Sequence, residues 1–450
     1  RQYFLYFNTV CTALSFIVVL VIVNRNTNPA YKIAWIIPIL CVPVFGWLLY
    51  ICFAGNQMTH RSKRKMQHIE HKQREVLPER EAVIAEIDHF SEDAARQSRY
   101  IQDFASCPPY ARTESLFLPG GEAQFSRMIE DLNNAQHFIF LEYFIIQEGL
   151  MWNTLLDILV RKAQEGVDVR LIYDDMGCIM TLPYRYNRTM EAAGIRCCVF
   201  NPYIPVVSGR LNNRDHRKIC VIDGNIGYTG GINLADEYIN RRERFGHWKD
   251  CGILVKGEAV WSMVMMFLSI WDYVAGLEED VAAFRPDYPE DAKGEGYLQP
   301  FADSPLDHED VGATIFQSLI QSACRRLWIM TPYLILDDKM ISALCVAAKT
   351  GVDVRIITPG IPDKWYVHAV TRANYEPLTE AGVRIFEFKP GFIHSKVCLA
   401  DDQYAVVGTV NMDFRSLYLH FEDAVYLYDS PAVSQVARDF EETFPVCREM

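Results

Sequence analysis

The feature that most constrains the fold is a pattern that occurs twice in this 450-residue chain. Each copy has the form H-x-K-x-x-x-x-D and is followed, seven residues after the Asp, by G-x-x-N. The first copy consists of His216, Lys218, Asp223 and Asn233, and the second consists of His394, Lys396, Asp401 and Asn411. The residues between each Lys and Asp are largely apolar, as in a buried strand. Two copies in register predict an internal duplication.

The His and Lys of each copy suit the chemistry of a phosphate ester. Residues i and i+2 of a strand point to the same face, so each His is predicted to lie beside its Lys. An imidazole acts as nucleophile or proton donor near neutral pH, and an adjacent ammonium holds the negative charge of phosphate while disfavouring a metal cation. The alternative is a pair of structural histidines at strand ends. The matched duplication favours one shared site that contains a nucleophile and an acid.

At these residues the sequence resembles the phospholipase D superfamily, whose signature is a duplicated HKD motif, and within it the bacterial cardiolipin synthases. The likeness covers nearly the whole chain and includes residues 142–144, 166–170, 331–333, 391–394 and 411–422. It implies two tandem phospholipase D-like α/β/α units. It also implies a phosphohistidine intermediate and chemistry that uses neither a metal nor another cofactor.

The resemblance implies roles for the polar residues of the motifs. His216 attacks phosphorus, and His394 acts as acid and then as base. The two motif lysines, with Asn233 and Asn411, stabilise charge on the nonbridging phosphate oxygens. Ser416 is a further candidate phosphate donor.

Four carboxylates accompany the motifs. The resemblance implies that Asp250 orients His216 and that Glu422 orients His394. Asp223 and Asp401 close the HKD motifs at strand-to-turn positions, where an Asp most often caps a turn, so we expect a structural role for both.

The sequence departs from the family pattern at two positions near the motifs. Asp215 stands where relatives more commonly have Asn, and His420 stands where many have Asn. Asp215 adds negative charge near a site for an anion. Neither change removes a catalytic group.

Composition limits the partners. The net charge of −13 argues against a nucleic-acid partner, which requires a basic surface. It remains compatible with anionic lipid, because local lysines can bind what the total charge repels. The sequence has no G-x-x-x-x-G-K-[ST], G-x-S-x-G or H-E-x-x-H motif, so nucleotide, serine-hydrolase and zincin functions have no support.

Two apolar segments lie near the start of the chain, at residues 3–23 and 33–54. Each approaches the ~20 residues needed to cross a bilayer, and the pair predicts a transmembrane helical hairpin. A signal peptide and two buried soluble helices are the alternatives. The cations at 61–65 outnumber those of the connecting loop, so the positive-inside rule predicts that the catalytic body of this multi-pass protein lies in the cytoplasm. The resemblance implies that the membrane is the bacterial cytoplasmic membrane.

The remaining chain divides into three predicted regions: a basic, helical juxtamembrane linker at 57–110, a first half at 111–290 and a second half at 291–450. Within each half, strands alternate with helices, which predicts mixed, mostly parallel sheets covered by helices on both sides. The strands are predicted at 138–146, 167–173 and 195–200, and at 327–331, 352–358 and 383–388. The join is expected at 287–295. The apolar helix at 261–273 is expected in the core or on a lipid-facing surface.

The function that we expect is transfer of a phosphatidyl group between two phosphatidylglycerol molecules, which yields cardiolipin and glycerol. Hydrolysis of the phospholipase D type, transfer to another alcohol, a membrane-bound nuclease and a non-catalytic scaffold are the alternatives. Both intact motifs argue against the scaffold, and the acidic charge argues against the nuclease. Anionic membrane lipids are the expected partners, and self-association into a homo-oligomer remains open.

Overall fold

A computed structural model describes residues 2–25, 29–53, 60–77, 79–203, 212–288, 293–307 and 309–450. The chain forms two compact units. The smaller unit comprises Arg1–Lys63 with Tyr203–Asn213, and the larger comprises Arg64–Pro202 with Arg214–Met450.

The first three helices belong to the smaller unit, and helices and strands alternate through most of the larger unit. The helices are α1 (Gln2–Asn24), α2 (Pro29–Cys41), α3 (Pro43–Phe53), α4 (His60–Val76), α5 (Glu81–Asp88), α6 (Glu92–Ala105), α7 (Gly121–Asn133), α8 (Leu150–Gln164), α9 (Asp175–Cys178), α10 (Tyr186–Ala192), α11 (Val260–Ala275), α12 (Val311–Ser322), α13 (Asp338–Lys349), α14 (Trp365–Ala373), α15 (Tyr375–Glu380), α16 (Phe414–Tyr418) and α17 (Pro431–Thr443). The strands are β1 (Tyr110–Ala111), β2 (Glu114–Leu118), β3 (Phe138–Tyr143), β4 (Asp168–Asp174), β5 (Arg196–Phe200), β6 (Lys218–Ile222), β7 (Ile226–Gly230), β8 (His247–Lys249), β9 (Gly252–Lys256), β10 (Tyr297–Asp303), β11 (Arg326–Met330), β12 (Asp353–Pro359), β13 (Arg384–Phe388), β14 (Gly391–Ile393), β15 (Val397–Ala400), β16 (Tyr404–Gly408), β17 (Glu422–Tyr428) and β18 (Cys447–Glu449).

The smaller unit contains the predicted membrane segments. Within the described residues, one helix is long and apolar enough to cross a membrane, at Leu5–Asn24. The second apolar segment is divided between α2 and α3, because Pro43 has no backbone N–H and disfavours helix at the residue before it. We expected the second span to be one helix, and the structure forms it as two shorter helices. The middle of the predicted loop, at 26–28, and the predicted end of the second span, at 54, lie outside the described residues.

Two large mixed sheets form the larger unit. Their strand orders are β2-β9-β7-β6-β3-β4-β5 and β1-β10-β17-β16-β15-β11-β12-β13-β18. The prediction of mixed sheets is confirmed. The prediction that they are mostly parallel is wrong, because among the described strands only β3–β4–β5 and β11–β12–β13 run parallel within these sheets. Each motif strand turns straight into the next strand at Asp223 or Asp401, and such a short connection permits only antiparallel pairing.

The helices that flank the sheets follow the predicted alternation. Helix α11 lies in the core, since every residue from Val260 to Asp272 is buried, and this decides against a lipid-facing position. The segment predicted as a linker differs from the expectation. Its helix α6 packs on β10 and α12 and buries Ala94, Ala95 and Ile101, so it is an integral part of the larger unit. The expected join at 287–295 falls between α11 and β10 and includes residues 289–292, which lie outside the described residues.

Candidate active site

The two motif histidines lie at equivalent positions of the two sheets. His216 comes two residues before the start of the paired strand β6, and Lys218 faces Tyr143 at the end of β3. In the second copy, β15 begins just after Lys396 and its first residue, Val397, faces Met330 at the end of β11. Both motifs therefore lie at the edge where the parallel strands end, the usual position of sites in open α/β sheets.

The structure corrects the predicted partners of the histidines, which are exchanged between the halves. His216 Nδ1 lies 2.8 Å from Glu422 Oε2, and His394 Nδ1 lies 2.8 Å from Asp250 Oδ2. The expectation that Asp250 orients His216 and that Glu422 orients His394 is therefore wrong. Each half provides the carboxylate for the histidine of the other.

Backbone register explains the exchange. Strand β14 pairs in parallel with β8, with Ile393 opposite Lys249, so the next residues, His394 and Asp250, also face each other. A second parallel bridge joins Asp215 to Phe421, and it brings the residues that follow, His216 and Glu422, together in the same way. Each His backbone N–H donates across the boundary as well, to Phe421 at 2.9 Å or to Lys249 at 2.7 Å.

The Glu422 carboxylate is fixed by two hydroxyl groups. Ser416 Oγ donates to Oε1 at 2.5 Å, and Thr409 Oγ1 donates to Oε2 at 2.5 Å. Ser416 Oγ also accepts the backbone N–H of Asn411 at 2.8 Å. The hydroxyl proton of Ser416 is thus committed to Glu422, so the prediction that it donates to phosphate is not supported by its position. Its contacts instead orient the carboxylate behind His216.

The Asp250 carboxylate is fixed by different donors. Its Oδ1 accepts the backbone N–H of Cys251 at 2.9 Å, and its Oδ2 accepts the indole N–H of Trp248 at 3.2 Å. Gly231 occupies the position that Thr409 has in the second copy, and a Cβ there would lie 2.0 Å from Asp250 Oδ1. The first copy therefore requires glycine where the second copy uses a threonine hydroxyl.

Burial and the two carboxylates set the protonation of the histidines. Burial lowers the pKa of His216 to about 3, although Glu422 opposes the shift. Burial, together with the charge of Lys396, lowers the pKa of His394 to about 4. Burial alone would raise the pKa of Glu422, but His216 holds it well below the usual value. In the absence of an anion, both imidazoles are therefore neutral, and a proton on each Nδ1 leaves Nε2 as the free base.

The motif lysines are poised to receive an anion. Lys218 Nζ donates to the backbone oxygen of His216 at 2.6 Å, and Lys396 Nζ donates to that of His394. An ammonium has three protons and donates one of them to this backbone oxygen, so phosphate oxygens can accept the remaining two. Burial lowers the pKa of Lys218 to about 8 and that of Lys396 to about 7. A phosphodiester would restore the charged form of both lysines, because its negative charge offsets the cost of burying them.

The two motif asparagines differ in their contacts. Asn233 Oδ1 accepts the backbone N–H of Ile145 at 3.0 Å, and its Nδ2 donates to the Tyr238 hydroxyl at 2.7 Å. The side-chain oxygen of Asn411 is buried and has no hydrogen-bond partner among the described residues. A buried unsatisfied polar group is uncommon in a folded protein. This oxygen can accept a hydrogen bond from a ligand hydroxyl but cannot bind a phosphate oxygen, so it does not support the predicted phosphate contact of Asn411.

The aspartates that close the HKD motifs have the structural geometry expected of turn caps. The Asp223 carboxylate accepts the N–H groups of residues 136, 137 and 138. The Asp401 carboxylate accepts those of residues 324, 325 and 326. Both aspartates have positive φ, at 50° and 51°, and both follow the motif strand at the end away from its Lys. Their carboxylates hold the start of the neighbouring parallel strand.

Asp215 and His420, the two departures from the family pattern, both lie near His216. Asp215 is fully buried beside Glu142, and burial raises the pKa of both carboxyl groups. The His420 ring lies 5.5 Å from that of His216, and its Nδ1 lies 3.6 Å from Glu422 Oε1. Potential ligand atoms of His216, His420 and Glu422 lie within 4.8 Å of one another. A cation there would compete with the hydroxyl groups that already bond to Glu422 and would be repelled by Lys218.

Several contacts of the histidines were not predicted from the sequence. The Phe144 ring lies 5.1 Å from His216, whereas Trp248 and Tyr238 lie 5.3 and 5.5 Å from His394. Thr409 is the fourth unpredicted residue, through its bond to Glu422. Thr409 lies inside the G-x-x-N pattern, and Trp248 lies two residues before Asp250, so proximity to a motif is the signal that could have indicated both.

Two copies of one α/β unit, each providing a His and a Lys to paired buried clusters, define a two-motif class of phosphodiester-processing proteins. The family model described as cardiolipin synthase, PLD-like domain, matches residues 128–251 and 316–444. A model described as phospholipase D-nuclease N-terminal matches residues 13–55.

The sequences of several known proteins align with most of this chain. A cardiolipin synthase of Geobacillus kaustophilus is 34% identical over 432 residues, which are 95% of this chain and 85% of the relative. Cardiolipin synthase 2 of Bacillus anthracis is 34% identical over 445 residues, which are 96% and 84%. An uncharacterized protein of Streptococcus mutans is 42% identical over 433 residues, which are 96% and 93%. The chain belongs to the cardiolipin synthase family, which has phospholipase D-like domains.

One solved structure supports the fold. The crystal structure of phosphatidylserine synthase from Haemophilus influenzae superposes with a TM-score of 0.60 at 16% identity, and it covers 80% of this chain and 92% of that chain. At this identity the likeness concerns the fold alone.

Proposed function

We propose that the protein is a cardiolipin synthase that transfers a phosphatidyl group from one phosphatidylglycerol to another and releases glycerol. The observation that carries this proposal is the exchanged pairing of His216 with Glu422 and of His394 with Asp250. It provides two imidazoles with matched geometry in one buried polar centre, which is what a two-step displacement requires.

In the first step, His216 Nε2 attacks the phosphorus of phosphatidylglycerol. A P–N bond forms, the P–O bond to glycerol breaks, and His394 donates its Nε2 proton to the departing oxygen. Glu422 stabilises the charge that develops on His216, and Lys218 and Lys396 hold the nonbridging oxygens. Because His394 is neutral before the anion binds, formation of the complex must bring a proton to it.

In the second step, the glycerol hydroxyl of another phosphatidylglycerol attacks the phosphohistidine. His394, now neutral, takes the hydroxyl proton, the new P–O bond forms, and the P–N bond to His216 breaks. One phosphodiester has been exchanged for another, so the reaction is close to thermally neutral and reversible. Water competes as acceptor, and a lipid acceptor is favoured by its high local concentration at a membrane.

The test uses the purified full-length chain in phosphatidylglycerol vesicles, with a His394→Ala variant as the inactive control. We expect glycerol and a two-phosphate lipid in equal amounts, little phosphatidic acid and no need for added nucleotide. Excess glycerol should drive the product back to phosphatidylglycerol. Phosphatidic acid as the main product would favour hydrolysis, and a strict requirement for a cytidine-activated lipid would overturn the mechanism.

The membrane topology is a second part of the proposal. We infer two crossings of the bacterial cytoplasmic membrane, by α1 and by α2 with α3, and a catalytic body on the cytoplasmic side. The support is the apolar helix at Leu5–Asn24 and the basic run at 61–65. Protease protection of sealed vesicles tests it, and finding Asn26 cytoplasmic with Asp303 external would contradict it.

A further inference from the structure

Two segments near the motifs expose apolar side chains at equivalent positions of the two sheets. The first follows β4 and exposes Met180 and Tyr184, which are 91% and 88% accessible. The second follows β12 and exposes Trp365, which is 80% accessible, together with Tyr366 and Val370 on α14. Strands β4 and β12 occupy the same place, beside β3 and β11 respectively, so the duplication presents this feature twice. We define these five residues as the apolar rim.

The first segment rests on the residues that contact His216. A Cβ on Gly177 would lie 2.0 Å from the backbone oxygen of Phe144, so α9 is in close contact with that residue. Cys178 Sγ accepts the backbone N–H of Ile146 at 3.3 Å. The Phe144 ring in turn contacts His216. The exposed side chains that follow α9 are thus joined to the catalytic centre through a single layer of residues.

The second segment rests on the residues that contact His394. The Ile361 backbone N–H donates to the oxygen of Gly391 at 3.2 Å, and Tyr333 donates its hydroxyl proton to Asp363 at 2.7 Å. The Tyr333 ring lies 6.5 Å from Phe392, whose ring lies 5.9 Å from His394. Both halves of the apolar rim therefore lie around the residues that line the two histidines.

We propose that the apolar rim inserts into the surface of an anionic bilayer and delivers lipid headgroups to the site. Trp and Tyr favour the boundary between acyl chains and water. Cations accompany the rim: the Arg185 guanidinium lies 5.2 Å from the Tyr184 ring, and exposed Lys364, whose Nζ lies 3.5 Å from Asp363 Oδ2, adjoins Trp365. These cations lie on a chain of net charge −13 and complement anionic headgroups. The inference rests on the proposed function, since a lipid substrate is the reason for the occupant to be a bilayer.

The first experiment reads insertion without activity. p-Benzoylphenylalanine replaces Met180, Tyr184 or Trp365 in the full-length chain, which is reconstituted in vesicles of radiolabelled phosphatidylglycerol and irradiated. The matched control is Val346, which is 60% accessible and lies near the end of α13. Strand β12 begins soon afterwards, at Asp353, so Val346 lies near the end of the sheet where the parallel strands start and the motifs lie at the other end. We expect lipid adducts at the three rim positions and at most background at the control. Equal labelling at all four positions, or none at the rim, would overturn the proposal.

The second experiment separates docking from chemistry. The double variant Met180→Ser/Trp365→Ser and the control Val346→Ser are compared on phosphatidylglycerol vesicles and on a dispersed short-chain phosphatidylglycerol. We expect the ratio of vesicle turnover to dispersed turnover to fall roughly tenfold for the rim variant and to stay constant for the control. An unchanged ratio would refute docking. If the unmodified chain transferred no phosphatidyl group from either substrate while the rim still cross-linked to lipid, the proposed function would fail and the docking surface would stand.

Discussion

The exchanged carboxylates make a prediction that separates the roles of the two histidines. Glu422→Gln removes the acceptor at 2.8 Å from His216, and Asp250→Asn removes the acceptor at 2.8 Å from His394. If His216 is the nucleophile, the first variant impairs attack on phosphorus. The second variant impairs proton transfer and leaves attack possible.

The size of each effect follows from the lost contact. A hydrogen bond to a charged group contributes about 1.5–3 kcal/mol, which corresponds to roughly 10-fold to 150-fold in rate. An amide nitrogen facing Nδ1 would also drive the imidazole proton to Nε2 and occupy the reacting atom. In Ser-His-Asp enzymes the same carboxylate-to-amide change costs about 10⁴-fold. We therefore expect losses between about 10²-fold and 10⁴-fold for both variants.

The assay uses a phosphatidyl ester of p-nitrophenol, because nitrophenolate departs without an acid. Asp250→Asn should release one equivalent of nitrophenolate per enzyme in a burst and then stall, since His394 cannot activate the acceptor. Mass spectrometry should find the phosphatidyl group on His216. Glu422→Gln should show slow release without a burst.

The matched control is Glu387→Gln. Glu387 is a buried carboxylate that pairs with Arg372 and Arg448. It should keep near-normal turnover. A burst in Glu422→Gln and none in Asp250→Asn would refute the assignment and make His394 the nucleophile. Identical behaviour of the two variants would contradict the separation of roles.

Three further predictions follow from the same site. His216→Ala and His394→Ala should each abolish turnover and the double variant should lose little more, because members of one catalytic unit are not additive; near-normal turnover in either single variant would contradict a shared site. Turnover per KM should fall as pH rises above about 4, because free His394 loses the proton that the leaving group needs, and should fall more steeply through about 7 to 8, because Lys396 and then Lys218 lose the protons that hold phosphate; a profile that stays flat to pH ~9 would contradict the lowered pKa values. Asp401→Ala should lower the free energy of unfolding by roughly 3 kcal/mol and reduce Tm, with little change in kcat of the folded fraction, and Asp401→Asn should lower that free energy less. A lower kcat at an unchanged Tm would show a catalytic role instead.

Much of the fold could be predicted because hydrophobic periodicity and the duplication reinforce each other. The strands expected at 167–173 and 352–358 are found at Asp168–Asp174 and Asp353–Pro359. Each follows a glycine with positive φ, Gly166 or Gly351, that ends the previous helix, and each continues with apolar residues after its Arg. Such local signals determine where strands begin. They do not determine the direction of the neighbouring strand, so the antiparallel majority was missed.

The exchanged partners could not be predicted from spacing. Asp250 and Glu422 stand at comparable distances after their own motif histidines, and nothing local distinguishes a partner in the same half from one in the other. The choice is made by two short parallel contacts between the halves, β8 with β14 and Asp215 with Phe421. The bond from Ser416 to Glu422 could not be predicted for a related reason, because the proton of a hydroxyl group goes to whichever acceptor the tertiary fold provides.

The exchange also bears on how the chain becomes active during synthesis. His216 and its acceptor are separated by 206 residues, so His216 leaves the ribosome long before Glu422 exists. At roughly 5–20 residues per second, this interval is about 10–40 s. During it, the first half can fold beside the membrane and bind lipid without an oriented imidazole to attack it. We therefore expect the first half alone to be inactive on lipid, and activity to begin only when the second half, with Glu422, is complete.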